Sequence, residues 1–142
     1  MSLRNAFTFL AILAAVGVGF QVGRSTTARA AGNHVFEVRT YTAAPGKLEA
    51  LQARFRDHTV QIFNKHGMTS VGYFAPTDEP LSKNTLIYIL EFPSRDAAKK
   101  SWAEFRSDPE WQKVQKESEA DGKLTTNIES VFTEPTDFSP LK

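Results

Sequence analysis

The 142-residue sequence contains no cysteine. That one absence removes disulfides, thiolate nucleophiles, cysteine-ligated metals and a lipid-modified leader. Also missing are a glycine-rich phosphate loop, a nucleophile elbow and an acidic cluster at metal-ligand spacing, so nucleotide and serine-hydrolase chemistry have no motif to rest on. Histidine is scarce: His34, His58 and His66 are the whole supply. His58 and His66 lie eight positions apart on what reads as one helix, roughly 12 Å along its axis at about 1.5 Å per residue, too far to share an ion. Neither a metal nor an organic cofactor is expected.

Basic residues are in slight excess, with a formal charge of +1, but the excess belongs to one end. Arg4 precedes an uncharged apolar run over residues 6–20, and Ala28-Arg29-Ala30 is a small-x-small cleavage pattern. This reads as a signal peptide over residues 1–30, cut after about Ala30, which makes the protein exported, periplasmic or secreted. The competing reading is an uncleaved membrane anchor, because the uncharged stretch extends over residues 5–23; its Ala and Gly content suits cleavage better than spanning. Of the 17 basic residues, Arg4, Arg24 and Arg29 lie in the leader, so residues 31–142 carry 14 basic against 16 acidic side chains. A slightly acidic domain with interspersed signs excludes a phosphate-backbone reader, so no nucleic acid partner is expected. Lys99-Lys100 and the Arg54/Arg56 pair read as solvated helix faces, as do Glu117, Glu119 and Asp121.

What remains is one domain over residues 31–142. Residues 35–42 alternate and are rich in β-formers, giving a first strand with Phe36, Val38 and Thr40 on one side and Glu37, Arg39 and Tyr41 on the other. After Ala44-Pro45-Gly46 a helix is predicted over 47–65, with Leu48, Leu51, Phe55, Ile62 and Phe63 on its core stripe and Gly67 as its stop. Strands are predicted over 70–75 and 85–92, separated by a polar loop with two prolines; the second is the most apolar and should be central. Ser94 caps a helix from 95 to 105 carrying Ala98, Trp102 and Phe105, and Asp108-Pro109 starts another carrying Trp111 and Val114. A last strand alternates over 124–132. The order strand, helix, strand, strand, helix, strand is an α+β, ferredoxin-like arrangement: a four-stranded antiparallel sheet with its helices on one face.

Phe105-Arg-Ser-Asp-Pro-Glu-Trp111, the closing Pro135-Thr-Asp-Phe-Ser-Pro-Leu141, and the opening Glu37-Val-Arg-Thr-Tyr-Thr42 with Pro45-Gly-Lys-Leu48 resemble the NIPSNAP family, in the right order over about residues 35–141. The resemblance implies a dimeric α/β barrel. Both faces of the strand at 85–92 are apolar, which points the same way: a homodimer joined through the uncovered sheet face. In the wider superfamily, related barrels serve as cofactor-free monooxygenases, haem-handling proteins and isomerases, an analogy of fold only.

If Phe36 and Val38 face the helices, Arg39 and Tyr41 face the barrel interior and Glu91 can join them. An arginine beside a glutamate and a phenol in a partly apolar cavity can hold a carboxylate or orient a carbonyl, so Arg39, Tyr41, Tyr73 and Glu91 are the expected ligand-binding set, and His58, Tyr41 and Arg39 the candidates for catalysis. The same Arg–Glu pair can equally be a buried bridge that only fixes the dimer. Trp102 and Trp111 read as core. The sequence thus supports a homodimeric small-ligand-binding or interaction domain, with a cofactor-independent monooxygenase or isomerase acting on a hydrophobic small molecule as the alternative.

Overall fold

A computed structural model describes residues 34–141; the expected leader and its cleavage point lie outside them. Strand β1 (Val35–Ala43) passes through a tight turn at Ala44, Pro45 and Gly46, where a φ of 73° favours glycine. A continuous helix over residues 48–65 follows. It consists of α1 (Leu48–Arg54), a wide π turn (Phe55–Thr59) and α2 (Val60–Lys65). The period of the sequence did not reveal the wide turn, because Phe55, Thr59, Ile62 and Phe63 still fall on one stripe across it. The extra residue disturbs the helical hydrogen-bond ladder, and the buried Thr59 hydroxyl donates to the Arg54 carbonyl at 3.1 Å. Gly67, with a φ of 70°, ends the helix. Its N–H bonds the Asn64 carbonyl and the Met68 N–H that of Phe63, a Schellman closure.

Strands β2 (Thr69–Phe74) and β3 (Thr85–Phe92) lead into α3 (Arg95–Ser107), α4 (Pro109–Ser118) and β4 (Thr125–Thr133). The strands form one antiparallel sheet in the order β2-β3-β1-β4. The expected α+β architecture is therefore the observed one, with β3 central and flanked by β2 and β1. Ser94 accepts the Ala97 N–H and Asp108 accepts the Glu110 N–H, so both helix starts are capped where expected; α3 runs two residues past its expected end. The core lies between sheet and helices: Leu51, Phe55, Ile62 and Phe63 meet Tyr88, Leu90 and Phe92, with Ala98, Trp102 and Phe105 closing one side.

Arg54 and Glu119, both read as solvated, prove structural, and the Asp108 cap has partners beyond its own helix. Arg54 is buried, pairs with Glu119 at 2.9 Å and lies over the Trp111 ring, joining the long helix to α4. Asp108 is buried at the junction of α3 and α4, with Lys65 Nζ at 2.8 Å and His66 Nε2 at 2.7 Å, tying the end of α2 to the break. These contacts, Lys65 first and His66 next, hold the Asp108 carboxyl well below the usual carboxylate range.

A carboxylate whose folded pKa is depressed stabilises fully above its unfolded value, about 4, and loses that contribution as the pH falls below it. The melting temperature of the wild-type protein should therefore drop on acidification below about pH 4. Asp108→Asn keeps a capping oxygen but not the charge, so its melting temperature should be lower at neutral pH and change less with acid. Parallel melting curves across the acid range would contradict this role for Asp108.

Candidate functional site

The strand register decides which side chains share a face. Arg39 pairs with Tyr88, Glu37 with Leu90 and Tyr41 with Leu86, and those β3 residues are buried under the helices. Glu37, Arg39 and Tyr41 therefore face the helices, and Phe36, Val38 and Thr40 face the open side, the reverse of the sequence-based expectation. Alternating apolar residues at 36 and 38 look like a core face. The deciding fact is the extreme burial of Tyr88, Leu90 and Phe92, which anchors β3 and with it the pleat of β1.

On the helix side, Glu37 is only 1% exposed. Trp102 Nε1 donates to its Oε2 at 2.6 Å, while Arg39 Nη1 at 2.6 Å and Ser130 Oγ at 2.5 Å donate to its Oε1. The carboxylate thus ties β1, β4 and α3 together. Arg39, 15% exposed, lies 4.3 Å from the Trp102 ring centroid and 5.6 Å from that of Tyr41. Burial works against its charge, but Tyr88, Tyr41 and Glu37 more than offset it, so the guanidinium holds its proton beyond the ordinary arginine range. Its Nε is buried without a hydrogen-bond partner. Tyr88 donates to the Tyr41 hydroxyl at 2.9 Å, and burial, followed by Tyr41, pushes the Tyr88 hydroxyl well above the ordinary phenol range. The Tyr88 hydroxyl stays neutral at physiological pH, and the hydrogen-bonded pair forms a polar cap on the aromatic core.

The expected set is only partly assembled. Arg39 and Tyr41 are together. Glu91 is on the opposite face, paired in register with Phe36 and Thr69, with His34 Nδ1 2.7 Å from its Oε1. Tyr73 faces the helices because β2 shifts register between Ser70 and Gly72. The shift separates it from Val71 and lets its hydroxyl meet Ser70 Oγ at 2.7 Å. Tyr73 stacks on Tyr88 at 5.7 Å, which places it at the far side of the aromatic core from Arg39. His58 is exposed on the π turn, beside a surface hollow shared with Asp57, Val114 and Glu117, away from Arg39 and Tyr41. Sequence reasoning missed Trp102 and Ser130 as partners of Glu37. The one available signal was a glutamate in a strand otherwise rich in β-formers, which demands buried donors once that face is the inner one.

Among the described residues, no group of three or more His, Asp or Glu side chains could hold a metal ion, and no helix is long and apolar enough to cross a membrane.

With this geometry in view, the NIPSNAP family model matches residues 36–140. The chain belongs to the NIPSNAP family. A NIPSNAP family protein of unknown function from Agrobacterium tumefaciens is 28% identical, with a TM-score of 0.68 over 79% of this chain and 96% of that one. A second NIPSNAP family protein from the same organism is 26% identical, with a TM-score of 0.67 over 77% and 99%. A putative antibiotic biosynthesis monooxygenase from Nitrosomonas europaea, 14% identical, has a TM-score of 0.53 over 76% and 95%; that likeness is one of fold. No protein of curated function matches the chain. For this NIPSNAP domain the Glu37–Arg39 pair is first of all a structural junction, since both charges are engaged within the single chain.

Removing one partner of a buried pair costs about 3–5 kcal/mol, whereas replacing both with apolar groups is often near neutral. Glu37→Leu should therefore lower unfolding free energy in denaturant titrations by a few kcal/mol, and Glu37→Leu combined with Arg39→Leu should recover much of the loss. Additive costs would show that the two charges do not depend on each other.

Proposed function

We propose that this NIPSNAP protein is a homodimeric binding module for a small hydrophobic molecule or a protein partner, exported by a leader that ends near Ala30. The observation that carries this reading is the uncovered sheet face. Val38, Ile87 and Ile89 line it, Val131 is 59% exposed and Phe74 is 52% exposed. Among the described residues, the chain end from Glu134 to Leu141 rests on part of it, beside Phe36, Val38 and Ile89. Four strands about 4.8 Å apart, with rows of some eight residues at about 3.3 Å, present roughly 500 Å² of flat area before side-chain relief is counted. That is of the same order as the about 800 Å² per partner of an ordinary stable interface. Monomers seldom leave a contiguous apolar surface of this kind in water. A second copy seated through a twofold axis covers each face with the other.

The monooxygenase or isomerase alternative has less support. It needs His58 beside Arg39 and Tyr41, and within one protomer the helix carries His58 outward while Arg39 and Tyr41 are occupied by Glu37 and Tyr88.

A native mass spectrum of residues 31–142 purified from the source organism should show a dimer, and a reproducible added mass would identify the ligand. Val131→Lys should yield monomers while changing protomer stability by less than about 0.5 kcal/mol, because the site is open in the single chain. A wild-type monomer, or a Val131→Lys dimer of unchanged affinity, would contradict the interface.

A further inference from the structure

The wide turn of the long helix stands over the outer edge of β2, and a groove of about 310 Å³ lies between them. Gln52, Phe55, Arg56 and Val60 form the helix wall; Tyr73, Phe74, Ala75 and Leu86 form the sheet wall. The π turn shapes this wall. It sets Phe55 and Val60 five positions apart on one side of the helix and leaves Arg56 between them at the rim. The floor is firm. Phe55 and Tyr73 meet edge to face with centroids 6.0 Å apart, and the Tyr73 hydroxyl is held by Ser70.

With the Tyr73 hydroxyl taken up by Ser70, the polar groups left among the lining side chains are those of Arg56 and Gln52. Arg56 has no carboxylate within ion-pair distance among the described residues, whereas Arg39 and Arg54 are both paired. The Gln52 amide has no side-chain hydrogen bond there either. A small apolar groove with one free guanidinium and one free amide is chemically lopsided: it has a place for one anionic head and a planar or branched hydrocarbon body, and its size, at the low end for ligand sites, limits that body to one or two rings. The Gly72 backbone keeps this form because a Cβ there would come within 2.7 Å of the Phe74 ring, so the aromatic side chain at the groove's edge is seated against a glycine.

We infer that this groove is the binding site for a small amphipathic monoanion, its carboxylate or sulfonate on Arg56 and Gln52 and its apolar body against Phe55, Val60, Tyr73 and Leu86. The assignment rests on the binding-module reading and specifies its ligand, but it does not depend on the dimer, because most of the lining lies on the helix side of the sheet.

The test uses the full chain and two probes: anilinonaphthalene sulfonate, and the uncharged phenylnaphthylamine of similar shape. Both should bind, the sulfonate more tightly. Arg56→Gln should weaken the sulfonate at least fivefold and leave the uncharged dye unchanged. Val60→Trp, which fills the groove, should abolish both at an unchanged melting temperature; if it does not fold, Arg56→Gln decides the matter. Val131→Lys should alter neither. Absence of binding, a folded Val60→Trp protein that binds as the wild type does, equal losses of both dyes on Arg56→Gln, or loss on Val131→Lys would each overturn the assignment. The last would place the dye on the open sheet face. Failure of the dimer would appear in the mass spectrum and leave these results unaffected.

Discussion

The Glu37 carboxylate is the constraint on which the rest of the structure depends. An ionised carboxylate away from water is tolerable only if its oxygens are fully engaged, and here an indole, a guanidinium and a serine hydroxyl supply three donors from α3, β1 and β4. Because strand side chains alternate, turning Glu37 toward the helices turns Arg39 and Tyr41 with it and sends Phe36, Val38 and Thr40 the other way. The pleat that the buried β3 residues impose on β1 is thus the one in which this charge meets its donors, and the character of both sheet faces goes with it. Exposed pairs such as Glu79 with Lys83 or Lys100 with Glu104 contribute at most a few tenths of a kcal/mol each and decide nothing comparable.

Much of the architecture was legible in the sequence because its signals are local. The Gly67 stop, the Ser94 cap and the Asp108-Pro109 start act within a turn of the residues they govern, and each helix ends or begins where they place it. The extent of β3 was equally plain, since Thr85 to Phe92 is a short run of β-formers closed by Pro93. The orientation of β1 was not legible. Its alternation is symmetrical enough to be read either way, and the choice is made by pairing with β3 and by Trp102, 65 positions away. The roles of Arg54 and Asp108 were hidden for the same reason: their partners Glu119, Lys65 and His66 are remote in the chain. The candidate site suffered most. Arg39 and Tyr41 were found together because they are two residues apart on one strand. Glu91 was assigned to their face because the face of β1 was inverted, and His58 belongs to a turn whose π geometry no periodicity revealed.

The fold separates three tasks. The helix side of the sheet holds the polar junction and the aromatic core, from Trp102 through Phe63 and Tyr88 to Tyr73. The open side carries the apolar surface proposed to meet a second copy. The groove under the wide turn lies at the end of the aromatic core farthest from Glu37, where Tyr73 serves both as core and as wall. Under the proposed function, this division leaves rigidity to the junction and recognition to the edge.

The central claim, that Glu37 faces inward and is held by Trp102, is open to direct measurement because the chain has only two tryptophans. In a proton–nitrogen correlation spectrum, the indole N–H of Trp102, assigned through Trp102→Phe, should lie far downfield and exchange slowly with solvent, and it should move upfield in Glu37→Leu. An indole N–H at the free position, exchanging rapidly and indifferent to residue 37, would mean that β1 presents its other face to the helices, and the account of both sheet faces would fall with it.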